Sequence, residues 1–264
     1  MSYDYEHVLV ENDDGILTVT MNRPESLNAV SREMHRGMPS LFQEISYDDD
    51  VNAVILTGAG RAFCAGGDVG RMAQGSEDLV GGWIRGQRES KQIVLAILQC
   101  EKPVIAKVNG PAVGLGATLA LSCDVTFIAE SARIGDRHVN VGLVAGDGGS
   151  ALWPHLVGYA RAREFLMSGE LIFGPRAAEI GLCNYCVPDA ELDRRVLDFA
   201  RALAAQPPRA LQWTKKAINA QLIPQVFANM DTSLALEHLS KATRDHVEAA
   251  RAFKEKRKPA LTGR

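Results

Sequence analysis

Long apolar runs are missing from this sequence of 264 residues. A helix that spans a membrane needs roughly 18 consecutive apolar residues, and no stretch approaches that length. Residues 1–7 are polar and acidic, unlike the basic and then apolar start of a secretory signal peptide. These absences predict a cytoplasmic protein without a membrane partner.

An excess of charge of either sign is also missing. The chain has 29 lysine and arginine residues against 32 aspartate and glutamate residues, with a formal net charge of −3 at pH 7. This balance argues against non-specific binding to nucleic acid, although a local basic cluster can still meet the phosphates of a nucleotide-like ligand. We therefore predict no nucleic-acid partner.

Cysteine is scarce, with five residues in the whole chain. An odd number in a chain of this length suits a reducing compartment better than a disulfide framework. Cys183 and Cys186 have the spacing of a redox pair, but no adjacent basic group would lower the pKa of either thiol. We interpret the five cysteines as free thiols, with Cys64, Cys100 and Cys123 packed among apolar or small residues.

Apolar residues make up 46% of the chain, which is enough for one good core. Residues 8–22 alternate apolar with polar side chains around 12–15, as a hairpin does. Further patterns predict a helix over 31–45 that kinks or ends early at Pro39, strands over 51–57, 103–108 and 125–129, and helices over 87–99 and 116–122. Strands that alternate with helices predict an α/β core. From residue 160 onward the pattern is almost wholly helical, and it ends in a long amphipathic stretch over 230–258.

Two of the predicted strands run into loops of small residues, over 58–68 and 109–116. In the second loop, Gly114 and Gly116 flank Leu115 and allow a ligand to approach the main chain. This loop opens a helix, whose first amide hydrogens lack intrahelical partners and lie at the positive end of the helix dipole. An oxyanion would be stabilised there without a charged side chain. For this loop alone, glycines that serve only packing are an equally good explanation.

With both loops present, the chain resembles the crotonase superfamily, also called the enoyl-CoA hydratase/isomerase family, from its N-terminal strands to residues 253–258. The resemblance implies an α/β fold in which repeated ββα units form a spiral, followed by a C-terminal helical region that forms trimers. It divides the chain into a core over residues 1–195 and a helical region over 196–264. The implied assembly is a homotrimer, or a homohexamer built as a dimer of trimers.

The resemblance also implies an oxyanion hole. In the family, two backbone amides hold the thioester oxygen of an acyl-CoA, and the matching positions here are Gly67 and Leu115. The family usually has glycine at the second position. Because the amide hydrogen is the donor, leucine should narrow the pocket and leave the hole intact.

Coenzyme A is expected as part of the substrate, with no tightly bound cofactor and no metal. The positions that the resemblance places along the coenzyme are Arg23, Leu27, Ala29, Ala65, Gly67, Asp68, Val69, Phe253 and Lys256. A phenylalanine can stack on adenine, and a lysine can meet a phosphate. Without the resemblance, Arg23 and the C-terminal lysines would be interpreted as ordinary solvated charges.

The two glutamates that family hydratases use are both missing here. The first position falls on Thr118 and the second on His138. Histidine moves protons near neutral pH, and a carboxylate bonded to its other nitrogen would fix its tautomer. Asp147 follows nine positions later (147 − 138), and Asp136 precedes the histidine by two (138 − 136). A surface histidine, and a turn or N-cap aspartate at 147, are the alternative explanations.

These residues lead to three hypotheses about function. The first is an acyl-CoA enzyme that holds a thioester enolate between the amides of Gly67 and Leu115 and hydrates or isomerises an enoyl-CoA, with His138 as acid/base and Asp147 orienting the histidine or the water. The second is a carbon–carbon bond hydrolase of a β-diketone or β-keto thioester, because the segment from His138 to His155 is also similar to the β-diketone hydrolase branch. The third is a catalytically silent scaffold that binds CoA esters, since Thr118 replaces a hydratase carboxylate.

Overall fold

The computed structural model describes residues 3–67, 79–255 and 257–264. Its larger sheet has six strands, of which all neighbours are parallel except the first pair. In their order across this sheet the strands are β1 (Val8–Asp13), β2 (Ile16–Met21), β3 (Ala53–Gly58), β4 (Val104–Val108), β6 (Val125–Ala129) and β9 (Tyr185–Val187). A smaller sheet contains β5 (Ala112–Val113), β7 (Arg133–Gly135) and β8 (Ile172–Phe173). The predicted α/β fold class is confirmed.

The described helices follow the strands in alternation up to residue 204 and then run consecutively. They are α1 (Arg32–Tyr47), α2 (Leu79–Gln99), α3 (Leu115–Leu121), α4 (Gly149–Ser168), α5 (Gly174–Glu179), α6 (Leu192–Ala204), α7 (Pro208–Lys241) and α8 (Arg244–Lys254). Within the described ranges, none of these helices is both long and apolar enough to cross a membrane.

The N-terminal hairpin is as predicted. Val8 pairs with Met21 and Asp13 with Ile16. The turn residues Asp14 and Gly15 both have positive φ, 51° and 80°. Two-residue hairpin turns of this kind match the right-handed twist of the strands that they join. Strand β3 is buried at all six positions, which explains why its sequence is a continuous apolar run.

Pro39 does not end α1, so the predicted early break is wrong. The helix starts after Ser31, whose side chain accepts a hydrogen bond from the Met34 amide, and continues to Tyr47. Its buried apolar face consists of Met34, Met38, Leu41, Phe42 and Ile45. Burial of several such side chains, at roughly 1.5–3 kcal/mol each, outweighs the ~3 kcal/mol that an internal proline costs.

The sequence from residue 160 onward is less uniformly helical than predicted. The short strands β8 and β9 interrupt it, and β9 extends the larger sheet by pairing with β6. The predicted amphipathic stretch over 230–258 is divided between α7 and α8. Thr243 separates these helices, because its hydroxyl oxygen accepts a hydrogen bond from the His246 amide at 3.1 Å and so caps α8.

Helix α6 covers one face of the larger sheet. Leu192, Val196 and Ala200 are its buried residues, spaced four apart on one side of the helix, and α6 packs on β2, β3, β4 and β6. The predicted boundary between residues 195 and 196 falls inside this helix, and the division of the chain there stays a prediction.

The C-terminal tail folds back onto α8. Asp245 accepts hydrogen bonds from the amides of Thr262 and Gly263, both at 2.7 Å. Glu248 accepts one from the amide of Ala260 at 2.9 Å. His246 of the same helix contacts the carbonyl oxygen of Val141 at 2.7 Å through its Nδ1. Helix α8 thus joins the tail to the loop that follows β7.

Candidate active site

The loops after β3 and β4 lie against each other. The Cys64 amide donates to the Pro111 carbonyl at 3.0 Å, and the Val113 amide donates to the Cys64 carbonyl at 2.9 Å. A β-carbon on Gly116 would lie 2.1 Å from the Cys64 carbonyl oxygen, so only glycine fits there. A β-carbon on Gly66 would lie 3.7 Å from the amide nitrogen of Leu115. The two segments that carry the predicted oxyanion donors are therefore neighbours.

Within the described parts of the chain, neither predicted donor amide donates a hydrogen bond to a backbone carbonyl. Leu115 is the first residue of α3, after Gly114, so its amide has no carbonyl to bond within the helix. Gly67 pairs with Val30 through the Gly66 carbonyl, which accepts the Val30 amide at 2.8 Å. In this kind of parallel pair, the central residue points its own amide away from the partner strand.

The ring of His138 lies over Gly114. The Gly114 amide donates to the carbonyl of Gly135, the last residue of β7, at 2.9 Å, and three residues further on His138 begins a short 3-10 helix. A β-carbon on Gly114 would lie 3.3 Å from Cε1 of the imidazole. The structure thus places His138 beside the residue that immediately precedes the Leu115 amide.

Two carboxylates flank the imidazole. The Nδ1 atom lies 2.8 Å from Oδ1 of Asp136, and Nε2 lies 3.4 Å from Oδ2 of Asp147. Asp136 also accepts the backbone amide of His138 at 3.0 Å, which fixes the ring relative to the end of β7. The orienting contact that the sequence suggested for Asp147 therefore belongs more closely to Asp136, while Asp147 faces the opposite nitrogen. Asp-x-His is the sequence signal for this contact.

The charges of these groups depend on one another. Burial alone would lower the pKa of His138, but the charges of Asp147 and Asp136 and their hydrogen bonds raise it well above its usual value. Burial alone would raise the pKa of Asp147, and the charge of His138 more than offsets this, so the pKa of that carboxyl is lowered. At neutral pH the arrangement favours an imidazolium beside an ionised Asp147.

Two further polar residues belong to this cluster. Thr118, on α3, packs its methyl group against Gly148, where a β-carbon would lie 2.3 Å away. Glu237, on α7, lies with its Oε1 2.8 Å from the ammonium nitrogen of Lys241. Sequence analysis missed Glu237, because nothing in its pattern separates it from other residues of a long helix.

The cluster contains buried polar atoms without a hydrogen-bond partner among the described residues. They are Thr118 Oγ1, Asp136 Oδ2, Asp147 Oδ1 and Glu237 Oε2. Buried polar atoms are nearly always satisfied, and each exception costs about 1–3 kcal/mol. Four such atoms around one imidazole indicate a site built to receive a polar ligand or water.

One atom from each of Asp136, His138 and Asp147 lies within 4.8 Å of the others, a separation at which a metal ion could be considered. However, the two ring nitrogens point in different directions, and Nδ1 already faces Asp136. An ion at Nε2 would have one histidine nitrogen and one Asp147 oxygen, whereas catalytic zinc sites use three protein ligands. The geometry fits proton transfer better than metal binding.

The segment expected along the coenzyme is tied to the loop after β3. Asn28 is fully buried, and its side chain donates to the carbonyls of Ala59 and Ala62 at 2.9 and 2.8 Å. The Ala65 amide donates to the Leu27 carbonyl at 2.9 Å, so Leu27 and Ala65 lie together. Asn28 and Leu27 both have positive φ, 58° and 54°. Sequence analysis did not single out Asn28, whose hydrogen bonds hold the segment over 27–29 against the loop after β3.

Of the other residues predicted to contact the coenzyme, Arg23 and Ala29 are described together with their side chains, and the rest are not. The guanidinium of Arg23 donates to the Ala29 carbonyl at 2.8 Å, which holds it within its own loop. Asp68, Val69 and Lys256 lie outside the described residues. Phe253 belongs to α8, and its side chain lies outside the description as well.

A family model and several known proteins match this chain over nearly its whole length. The sequence model of the family described as enoyl-CoA hydratase/isomerase matches residues 11–264. The chain is 34% identical over 260 residues to the 1,2-epoxyphenylacetyl-CoA isomerase of Escherichia coli K12, covering 98% of this chain and 99% of the relative. It is 35% identical over 263 residues to the short-chain-enoyl-CoA hydratase of Clostridium acetobutylicum, covering 97% of each.

The structure is similar to the crystal structure of an enoyl-CoA hydratase/isomerase from Mycobacterium paratuberculosis, with a TM-score of 0.87, 38% identity, and coverage of 93% of this chain and 97% of that chain. Relatives at similar identity are named isomerase in one case and hydratase in another. Similarity therefore identifies the family and not the reaction. The chain belongs to the enoyl-CoA hydratase/isomerase family of the crotonase superfamily.

Proposed function

We propose that this protein is an enzyme that stabilises the enolate of an acyl-CoA thioester between the amides of Gly67 and Leu115 and hydrates or isomerises an enoyl-CoA. The observation that carries the proposal is the position of the His138 ring over Gly114, directly before one donor amide. A positively charged ring at this point is a proton donor beside the place where negative charge develops.

In this proposal the chemistry divides between Asp147 as the base and the His138 imidazolium as the acid. In hydration, Asp147 takes a proton from water as the water oxygen adds to the β-carbon, and the electron pair of the double bond moves onto the thioester oxygen. His138 then gives its proton to the α-carbon of the enolate. The proton on Asp147 can return to His138 across the 3.4 Å between them. In isomerisation, Asp147 removes a carbon-bound proton and His138 supplies one at another carbon.

Coenzyme A takes part only as a component of the substrate in this proposal. The corner built by Leu27, Ala29 and Ala65 is adjacent to Gly67 and supports a site for the pantetheine arm. Arg23, Asp68, Val69, Phe253 and Lys256 are proposed contacts on the family resemblance. The proposed location is the cytoplasm.

We also propose a homotrimer or a homohexamer. Large apolar side chains are exposed on the C-terminal half of the chain, and they include Tyr159, Met167, Trp213, Ile218 and Leu239, each more than 60% exposed. Exposed apolar groups in this number support a surface between copies of the chain.

Carbon–carbon bond hydrolysis is the second candidate. The unpartnered Thr118 hydroxyl of this cluster favours it, because a hydroxyl can donate a hydrogen bond to a second substrate carbonyl. A silent scaffold is the third candidate, supported by Thr118 in place of a hydratase glutamate.

Incubation with short, medium and branched enoyl-CoAs, a β-keto thioester and a cyclic β-diketone tests these candidates. Turnover of an enoyl-CoA that is lost in His138→Ala is expected. The matched control is His155→Ala, because His155 is exposed on α4. Cleavage of the diketone alone would replace the proposal with the hydrolase. Binding of CoA esters without any turnover would replace it with the scaffold.

A further inference from the structure

Helix α7 holds the loop that carries Asp147. The Ser233 hydroxyl donates to the Gly146 carbonyl at 2.8 Å, and the Val144 amide donates to the Ser240 hydroxyl oxygen at 3.3 Å. Glu237 lies between these two serines on the same side of the helix, since positions four and seven apart face the same way. The loop over 144–146 therefore rests on one face of α7, and Asp147 follows it directly.

One carboxyl oxygen of Glu237 faces Lys241 and the other faces this loop. Oε1 meets the Lys241 ammonium, which is half-exposed, at 2.8 Å. Oε2 is buried without a partner, and a β-carbon on Gly146 would lie 2.7 Å from it. The residue as a whole is only 5% exposed. An ionised carboxylate oxygen in this position would lack the donors that a buried charge requires.

The charged groups near Glu237 lie on its own helix and across the loop. Lys241 lies on its own helix, and Asp147 and His138 lie across the loop. Lys91, on α2, is held by Asp231 of α7 at 2.6 Å. Burial raises the pKa of Glu237 more than the Lys241 charge lowers it, and the charge of Asp147 adds to the rise. The pKa of Asp147 is moved in the opposite direction. Two carboxyl groups whose environments separate them in this way divide into an acid and a base.

We propose that Glu237 is a positioning residue of this site that holds a proton at neutral pH, so that the buried pair of Asp147 and Glu237 carries one negative charge instead of two. The neutral carboxyl supports the Asp147 loop without adding a second anion beside it. At alkaline pH, loss of this proton would place another negative charge near His138 and make the imidazolium a weaker acid. The role of this proton in turnover rests on the proposed function, but the presence of the proton does not.

Infrared spectroscopy tests the proton without any substrate. The carbonyl stretch of a neutral carboxylic acid is expected in the wild-type protein at pH 7, and part of it is expected to be lost in Glu237→Gln. Glu248→Gln is the matched control, because Glu248 is ionised by its hydrogen bonds to Arg257 and to a backbone amide, and its replacement should leave the band unchanged. No neutral-acid band in the wild type, or no loss in Glu237→Gln, would overturn the proposal.

Lys241→Met gives a second measurement in case Glu237→Gln does not fold. Removing the ammonium removes the charge that favours ionisation of Glu237, so the pH at which the neutral-acid band disappears should shift upward. Lys216→Met, on an exposed position of the same helix, should leave that pH unchanged. A downward shift in Lys241→Met, or no shift, would contradict the proposal.

Activity separates this inference from the proposed function. If an enoyl-CoA is turned over, Glu237→Gln should keep most of the activity at pH 7 and change the alkaline limb of the pH profile, whereas Asp147→Asn should lose about 100-fold or more. A large loss in Glu237→Gln at pH 7 would mean that its negative charge is needed, which overturns the inference alone. Absence of turnover in the wild type overturns the proposed function and leaves the infrared result standing.

Discussion

The imidazole of His138 lies between two carboxylates, and both favour its charged form. Its pKa is raised, so the ring is charged at neutral pH, as the proposed role of proton donor requires. A group of this kind contributes stability that is fully present below the ordinary histidine pKa and is lost as the pH rises through the folded-state pKa. If the proposed function holds, the titration of His138 therefore changes both the stability of the fold and the rate of the reaction.

His138→Gln should destabilise the fold by about 3 kcal/mol at pH 6, because it leaves two buried carboxylates without their cation. The difference from the wild type should shrink as the pH rises through the raised pKa of His138. Urea unfolding at a series of pH values measures this. His155→Gln is the control and should change little at any pH. A loss that stays constant across the series would show that the ring charge contributes nothing.

Leu115→Pro should remove one of the two proposed oxyanion donors while keeping the helix, since proline is well tolerated at the first helical position. The expected loss is about 100- to 1,000-fold in kcat, or about 3 kcal/mol of barrier. Leu115→Gly retains the amide and should retain activity. Calorimetric binding of a CoA ester checks that the pocket is intact in both. Equal activity in the two variants would show that the Leu115 amide does not stabilise the oxyanion.

At this scale the sequence pointed to His138 and Leu115, because each matches a position with a known role in the family. It could not rank Asp136 against Asp147 as the partner of the ring, since glycines between 138 and 149 leave the path of the loop undetermined. Glu237 carried no signal, because its role depends on contact with a loop about 90 positions earlier (237 − 146).

At the scale of elements, the break between α7 and α8 determines how the C-terminal helices reach the site. Thr243 caps α8, and His246 in the first turn of that helix contacts the Val141 carbonyl. The cap therefore supports the 3-10 segment that starts at His138.

Thr243→Ala should cost about 1 kcal/mol, the usual effect of losing an N-cap side chain. The same variant should increase hydrogen exchange at the amides of 138–143, because His246 is held less firmly. Urea unfolding and mass-detected hydrogen exchange measure the two effects. Thr232→Ala, at an exposed position within α7, is the matched control. Unchanged hydrogen exchange at the amides of 138–143 would show that the Thr243 cap does not stabilise this segment.

Strong periodic patterns explain which elements were predicted. The hairpin, the buried strands and α1 to α3 each repeat an apolar pattern over several residues. Strands β8 and β9 have two and three residues, too few to show a period, and they form because a neighbouring strand offers an edge. The continuation of α1 through Pro39 depends on the tertiary burial of its apolar face, which local propensity does not contain.

At the scale of the whole molecule, exposed apolar side chains on α4 and α7 distinguish the C-terminal half. Tyr159 and Met167 are 66% and 72% exposed on α4, and Trp213 is 65% exposed on α7. The α/β fold itself followed from the alternation of elements, and the spiral arrangement from the family resemblance. The assembly depends on surface complementarity, which a single sequence does not reveal.

Light scattering after size exclusion should give a mass of three or six times 28.6 kDa. The mass should persist on dilution and in moderate salt, because apolar contacts are not screened by ions. A stable mass of 28.6 kDa over the same range would contradict the trimer and the hexamer together.

The hydrogen bonds of Ser233 and Ser240 to the loop over 144–146 join segments that are far apart in the sequence, and this should affect refolding. The proposed oxyanion donors come from loops of the sheet, whereas the loop before Asp147 is held by α7, about 90 residues further along the chain. Contacts between such distant segments form slowly. A chain diluted from denaturant should therefore regain its circular dichroism before its activity. The delay between the two signals would measure how slowly α7 packs against the loop over 144–146.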